Sequence, residues 1–196
     1  MIDAMAQRIA SFLVRKGAAA PDDVDVQVYG LQVILSTSIN LTASLLLSLL
    51  MGQLPFGVSF LITFILLRRF TGGYHANSYL GCFLSLQAVL FVGFAAQRLY
   101  ESGMSVVVPY VLTAASAVLI FLLAPIDHEN KPSTPASRRK FRFLSRLMTL
   151  AMAACTALGL MWESTVGYAL GIQMALFATG CLLVVAKIQK KGGASS

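Results

Sequence analysis

Apolar residues recur along this chain in two ways, and the change from one to the other comes early. At the start, Ile2, Met5, Ile9 and Phe12 fall at helical spacing while Arg8, Arg15 and Lys16 share the same stretch. A signal peptide keeps its apolar centre free of charge, and Arg8 breaks that rule. The pattern instead predicts an amphipathic helix over about residues 1–20, lying on a membrane surface. A polar linker around Pro21 to Asp25 comes next, and beyond it the long apolar segments begin. Six apolar segments are expected near residues 28–50, 54–67, 79–99, 106–124, 144–161 and 166–188. The second is short. Its 14 residues reach about 21 Å at 1.5 Å each, against roughly 30 Å of hydrocarbon, which puts Arg68 and its neighbours toward Cys82 at or just inside the membrane boundary.

Composition fixes the class that this pattern suggests. With 57% hydrophobic and 12% charged residues among 196, too little polar surface remains to coat a water-soluble globule. The expected fold is an all-α integral membrane protein of six transmembrane helices behind an interfacial helix. It forms a single membrane domain over residues 1–196, with no length left for a separate soluble module.

Charge then orients it. Arg8, Arg15 and Lys16 precede the first span, Arg68 and Arg69 follow the second, and Lys131, Arg138, Arg139, Lys140, Arg142 and Arg146 lie between the fourth and fifth. Lys187, Lys190 and Lys191 end the chain, and the alternate connections hold only Arg98. Fourteen of fifteen basic residues therefore fall on one side, which predicts both termini and the loop at about 125–143 in the cytoplasm. The net charge of +7 is thereby explained as a topology signal and does not point to nucleic acid.

The candidate chemistry sits on that same side, in RRFTGGYHANSYLGC, Arg68 to Cys82. Three cysteines, at 82, 155 and 181, make no disulfide framework, and with only His75 and His128 in the chain no metal site is expected. Cys155 and Cys181 lie within apolar helices and read as packing residues. Cys82 opens a helix just after a glycine-broken loop that carries His75. On one straight helix those two would stand about 10.5 Å apart along the axis, too far for a nucleophile and its base. The Gly72-Gly73 pair lets the chain fold His75 back over the helix start, with Asn77 or Ser78 as a cap. Cys82 would then sit where free backbone N–H groups favour a thiolate. A dimer pairing His75 of one chain with Cys82 of the other satisfies the same spacing, as does a structural loop whose histidine bonds backbone.

The order Arg68, Gly72-Gly73-Tyr74-His75, Cys82 resembles the heart of the accessory gene regulator B (AgrB) family of membrane cysteine endopeptidases in quorum-sensing systems. Tyr29-Gly30-Leu31-Gln32, Ala124-Pro125-Ile126-Asp127 and Asn130-Lys131-Pro132 agree with it, and the resemblance runs from about residue 3 to 190. Where the family often has Asn-rich or Pro-rich wording after the aspartate, this chain has His128-Glu129.

The resemblance implies a cytoplasmic cysteine endopeptidase, working without a cofactor on a small precursor peptide of the AgrD type. Cys82 would attack the scissile carbonyl with His75 as base, and a Cys or Ser within the peptide would then displace the enzyme to close a thiolactone or lactone ring. It also implies a homodimer. Around this pair, Arg68 either binds a precursor carboxylate or anchors the helix at the lipid headgroups. Gly72 and Gly73 shape the backbone. Gln32 heads a polar stripe of Ser36, Asn40, Ser44 and Ser48 that otherwise reads as helix-packing contacts, and it is a candidate oxyanion donor. Asp127 either orients His75 or caps a turn. Arg138, Arg139, Lys140 and Arg142 are expected to dock the acidic tail that the family's substrates carry, or else membrane lipid. The rival class is a non-enzymatic peptide exporter or scaffold in which Cys82 is inert.

Overall fold

A computed structural model describes residues 2–17, 24–72, 79–126 and 135–192. Among these the chain is all-helical: α1 (Ile2–Arg15), α2 (Val24–Leu50), α3 (Leu54–Thr71), α4 (Tyr79–Glu101), α5 (Val107–Leu123), α6 (Pro135–Gly159), a 3-10 turn at Glu163–Thr165, and α7 (Val166–Gly192). Five helices are long and apolar enough to cross a membrane; α5, at 17 residues, is a shorter apolar helix. This is a membrane protein, and the many leucines, valines and isoleucines left exposed on α2, α4 and α5 are what a lipid-facing surface requires.

The chain divides into two compact units, residues 1–46 and 47–196. In the first, α1 is amphipathic: Ala6 and Ala10, four apart, are fully buried, while Arg8, Arg15 and Lys16 are exposed. A cavity of about 660 Å³ opens beside Ala4, Gln7, Arg8, Ser11, Arg15 and Val24.

In the second unit α7 is the central helix. It packs on α3, α5 and α6 through small residues that let backbones approach. A Cβ on Gly171 would collide with the Ser59 hydroxyl and the Phe56 carbonyl of α3, and one on Gly159 of α6 would stand 2.9 Å from the Ala169 methyl. Close to one end of this bundle, Leu67, Ile120, Ala124, Leu176 and Leu183 form an apolar cluster, with Met148, Met152 and Ile126 against it. Ser48, the last member of the polar stripe, is fully buried against Gly57, where a Cβ would overlap its hydroxyl. The packing role holds there.

Element bounds depart from the sequence pattern in instructive ways. The helix α3 runs past the apolar segment expected at 54–67 as far as Thr71, giving 18 residues or about 27 Å, with Arg68 and Arg69 in the last turn. Cations suit a helix C-terminus, so the charges that mark the end of an apolar run do not mark the end of the helix. Likewise α6 begins at Pro135 rather than 144, which takes Arg138 to Arg142 out of the loop and onto helix. Proline suits a first helical turn, and the apolar positions Phe141, Leu144 and Met148 continue the helical period through the charges. Cys155 and Cys181 are both exposed on their helices. The reading of them as buried packing residues is therefore corrected: an apolar helix in lipid has apolar residues on every face, so sequence does not tell which face turns inward.

Candidate functional site

Cys82 lies in the first turn of α4 and is exposed, with Tyr79, Leu80 and Leu84 exposed around it. The hold on α4 comes three turns further along. Leu90 and Phe94 are buried, the Phe94 ring meets Phe56 edge-on at 5.4 Å, and Gly93 faces Phe56 and Met174 so closely that no Cβ fits. At the far end Gln53 Nε2 donates to the Phe94 carbonyl at 3.4 Å, and an Arg98 guanidinium nitrogen donates to the Met51 carbonyl at 3.3 Å. The helix is thus seated by one half and presents its thiol from the other.

Arg68 lies in the last turn of α3. The half-buried guanidinium rests 5.7 Å from the centre of the Phe64 ring and lies within electrostatic reach of Cys82. Three residues on, Thr71 is fully buried, and its carbonyl accepts a 3.0 Å hydrogen bond from the Ile126 amide. Gly72 and Ile126 pair as one rung of parallel β-bridge, which joins the end of α3 to the extended segment after α5. The start of α6 arrives at the same end, where Phe141 stands 6.5 Å from Phe70. Arg138, Arg139, Lys140 and Arg142 are exposed there.

Arg68, Gly72, Cys82 and the basic start of α6 therefore gather at one end of the second unit. His75, Gly73 and Asp127 lie outside the described residues. Gln32 belongs to the first unit, where its amide nitrogen donates to Asp3 Oδ1 at 2.9 Å. Sequence reasoning passed over Thr71 and Ile126 as site residues. Ile126 sits 54 positions from Gly72, and nothing in the local pattern marks two residues at that separation as backbone partners.

Comparison with known proteins bears on this arrangement. A family profile described as Accessory gene regulator B matches residues 6–186. The chain is 26% identical over 117 residues to AgrB-like protein 2 of Clostridium perfringens strain 13 (type A), and equally so to an AgrB-like protein of strain SM101 of that species. The match covers 57% of this chain and 55% of each relative, so the chain spans about half the length of the curated relatives it matches. No solved structure matches it. With the profile covering nearly the whole chain and the Gly-Gly-Tyr-His-to-Cys connection running between α3 and α4, the protein belongs to the accessory gene regulator B family.

Proposed function

We propose that this protein is a membrane cysteine endopeptidase that removes the C-terminal tail from a small AgrD-like precursor and promotes closure of the remainder into a ring. Family membership implicates the chain in accessory gene regulator peptide processing. The observation that carries the finer reading is local: the exposed Cys82 thiol, at a helix N-terminus and in electrostatic reach of Arg68, stands seven residues after His75.

In the reaction, Cys82 Sγ attacks the scissile carbonyl carbon while His75 takes the thiol proton. The new C–S bond forms as the carbonyl π electrons move to oxygen, and the tetrahedral oxyanion collapses with cleavage of the C–N bond. His75 returns the proton to the leaving amine. The Arg68 charge, within electrostatic reach of the thiol, stabilises the oxyanion. Ile126 pairs with Gly72, and in sequence Asp127 follows Ile126 directly while His75 comes three residues after Gly72, which supports Asp127 as the orienter of His75. A thiol or hydroxyl of the peptide then attacks the thioester as its proton passes to His75, Cys82 leaves as thiolate, and a thiolactone or lactone results. Water competes for the thioester, so a site at the membrane edge favours the ring over a linear acid. An amide is more stable than a thioester, so net ring formation draws on removal of tail or product.

In this reading Arg138, Arg139, Lys140 and Arg142 dock an acidic tail. The five long apolar helices and the shorter α5, fourth in order, cross the membrane six times in all, both termini and the active site lie in the cytoplasm, and the protein works as a homodimer among membrane lipids. The test is reconstitution with the cognate precursor. Wild-type protein should release the tail, Cys82→Ala should not, and a covalent peptide adduct on Cys82 should be trapped by mass spectrometry. Peptide transport without cleavage would favour the exporter reading.

A further inference from the structure

The chain leaves α3 through a backbone clasp. The Ile126 amide donates to the Thr71 carbonyl at 3.0 Å, and the Thr71 hydroxyl donates to the Gly72 carbonyl at 3.2 Å. Gly72 has φ +66° and ψ −143°, a region that side chains other than hydrogen rarely enter. A Cβ at that position would also collide with the Ile126 carbonyl oxygen. The partner strand does not yield easily, because Ile126 packs on the Leu67, Ile120, Leu176 and Leu183 cluster and Ala124 is buried in it. Conformation, pairing and space each demand glycine at 72.

A helix end needs none of this to stop; water or an ordinary glycine cap satisfies its last carbonyls. The clasp does something further. It fixes the point and direction at which the chain enters the six residues that precede Tyr79, and it ties that point to the segment following α5. Cys82 lies in the first turn of α4, ten residues beyond Gly72, so the clasp anchors the chain on the side from which it runs toward the thiol.

We infer that the Gly72–Ile126 clasp is a positioning device for the Cys82 reaction, with the main chain of Ile126 as its fixed half. The inference rests on the proposed pairing of Cys82 with His75. It makes Gly72 and Ile126 positioning residues, acting through the connection and touching no substrate.

The experiment measures iodoacetamide alkylation at each cysteine of the full-length protein in lipid nanodiscs, across neutral to alkaline pH, for wild type, His75→Ala, Gly72→Ala, Ile126→Pro and Ile126→Val. Ile126→Pro removes the donated N–H, and Ile126→Val keeps it. Gly72→Ala and Ile126→Pro should slow Cys82 near neutral pH as much as His75→Ala does, on the order of tenfold, with no further loss on combination with His75→Ala. Ile126→Val should react as wild type, and Cys155 and Cys181 should keep their rates in every variant. Wild-type rates at Cys82 in both clasp variants, with His75→Ala slow, would overturn the clasp and leave the catalytic pair standing. A His75→Ala protein that alkylates like wild type would remove the pair, and the clasp with it. Slowing of Cys82 together with faster reaction at Cys155 and Cys181 marks unfolding and counts against positioning.

Discussion

The Arg68 guanidinium, one turn from the end of α3, lies within electrostatic reach of the Cys82 thiol in the first turn of α4. It is held from behind by the Phe64 face at 5.7 Å, a contact that suits a flat cation. A charge held in this way acts on whatever negative charge develops at the thiol or at the carbonyl it attacks. Arg68→Gln should lower the turnover number for precursor cleavage about 10- to 100-fold with KM changed much less, and Arg68→Lys should retain part of it. Steady-state kinetics on the reconstituted protein decides this. A turnover number for Arg68→Gln equal to wild type would reduce Arg68 to a headgroup anchor.

Exposure does not distinguish the three cysteines, since all are exposed. Surroundings do. Cys155 and Cys181 sit on the apolar parts of α6 and α7, whereas Cys82 sits at a helix N-terminus within electrostatic reach of a cation. A thiolate in hydrocarbon is costly, so alkylation near neutral pH should single out Cys82. Peptide mapping after brief alkylation checks it; equal labelling at all three positions would count against an activated thiol.

The seat of α4 predicts an effect at a distance. Gly93→Leu drives a side chain into Phe56 and Met174, and Gly171→Leu drives one into Ser59 and the α3 backbone. Each should cost about 1–3 kcal/mol and lower the melting temperature by several degrees, and Gly93→Leu should also impair cleavage although it lies three turns from Cys82. Gly167→Ala is the contrast, because its nearest neighbours, Pro55 and Gln97, stand at 3.5 and 3.7 Å, an ordinary contact distance. Thermal denaturation in one detergent ranks the three. Equal melting temperatures would mean that the close contacts give way at little cost.

The basic start of α6 makes the fourth prediction. Arg138 and Arg142 are four apart on helix and both exposed, so they present two charges on one face. Reversing both to glutamate should raise KM about tenfold for a precursor with an acidic tail and leave a neutral-tailed analogue unaffected. The wild-type KM for the acidic precursor should also rise with salt. Equal effects on both peptides would assign the cluster to lipid headgroups.

The sequence by itself determined the membrane class and the order of the helices, and it marked the stretch proposed to carry the chemistry. Those rest on signals that are local: runs of apolar residues, the distribution of arginine and lysine, and a glycine pair just ahead of a histidine and a cysteine. The apolar segments expected at 54–67 and 144–161 stop short of the helices α3 and α6 because hydropathy reports what a residue dissolves in and not whether its backbone is helical. Arg68, Arg69 and Arg138 to Arg142 are polar and helical at once. Hydropathy left the inward faces open for the same reason, and so Cys155 and Cys181 had no visible side. Only the tertiary structure decided that Gly93 of α4 fits against Phe56 and Met174 and that Gly72 is paired with Ile126. Each is a contact between elements, set by how small residues allow helices to approach and by where a backbone N–H finds its acceptor, and no run of neighbouring residues encodes that choice.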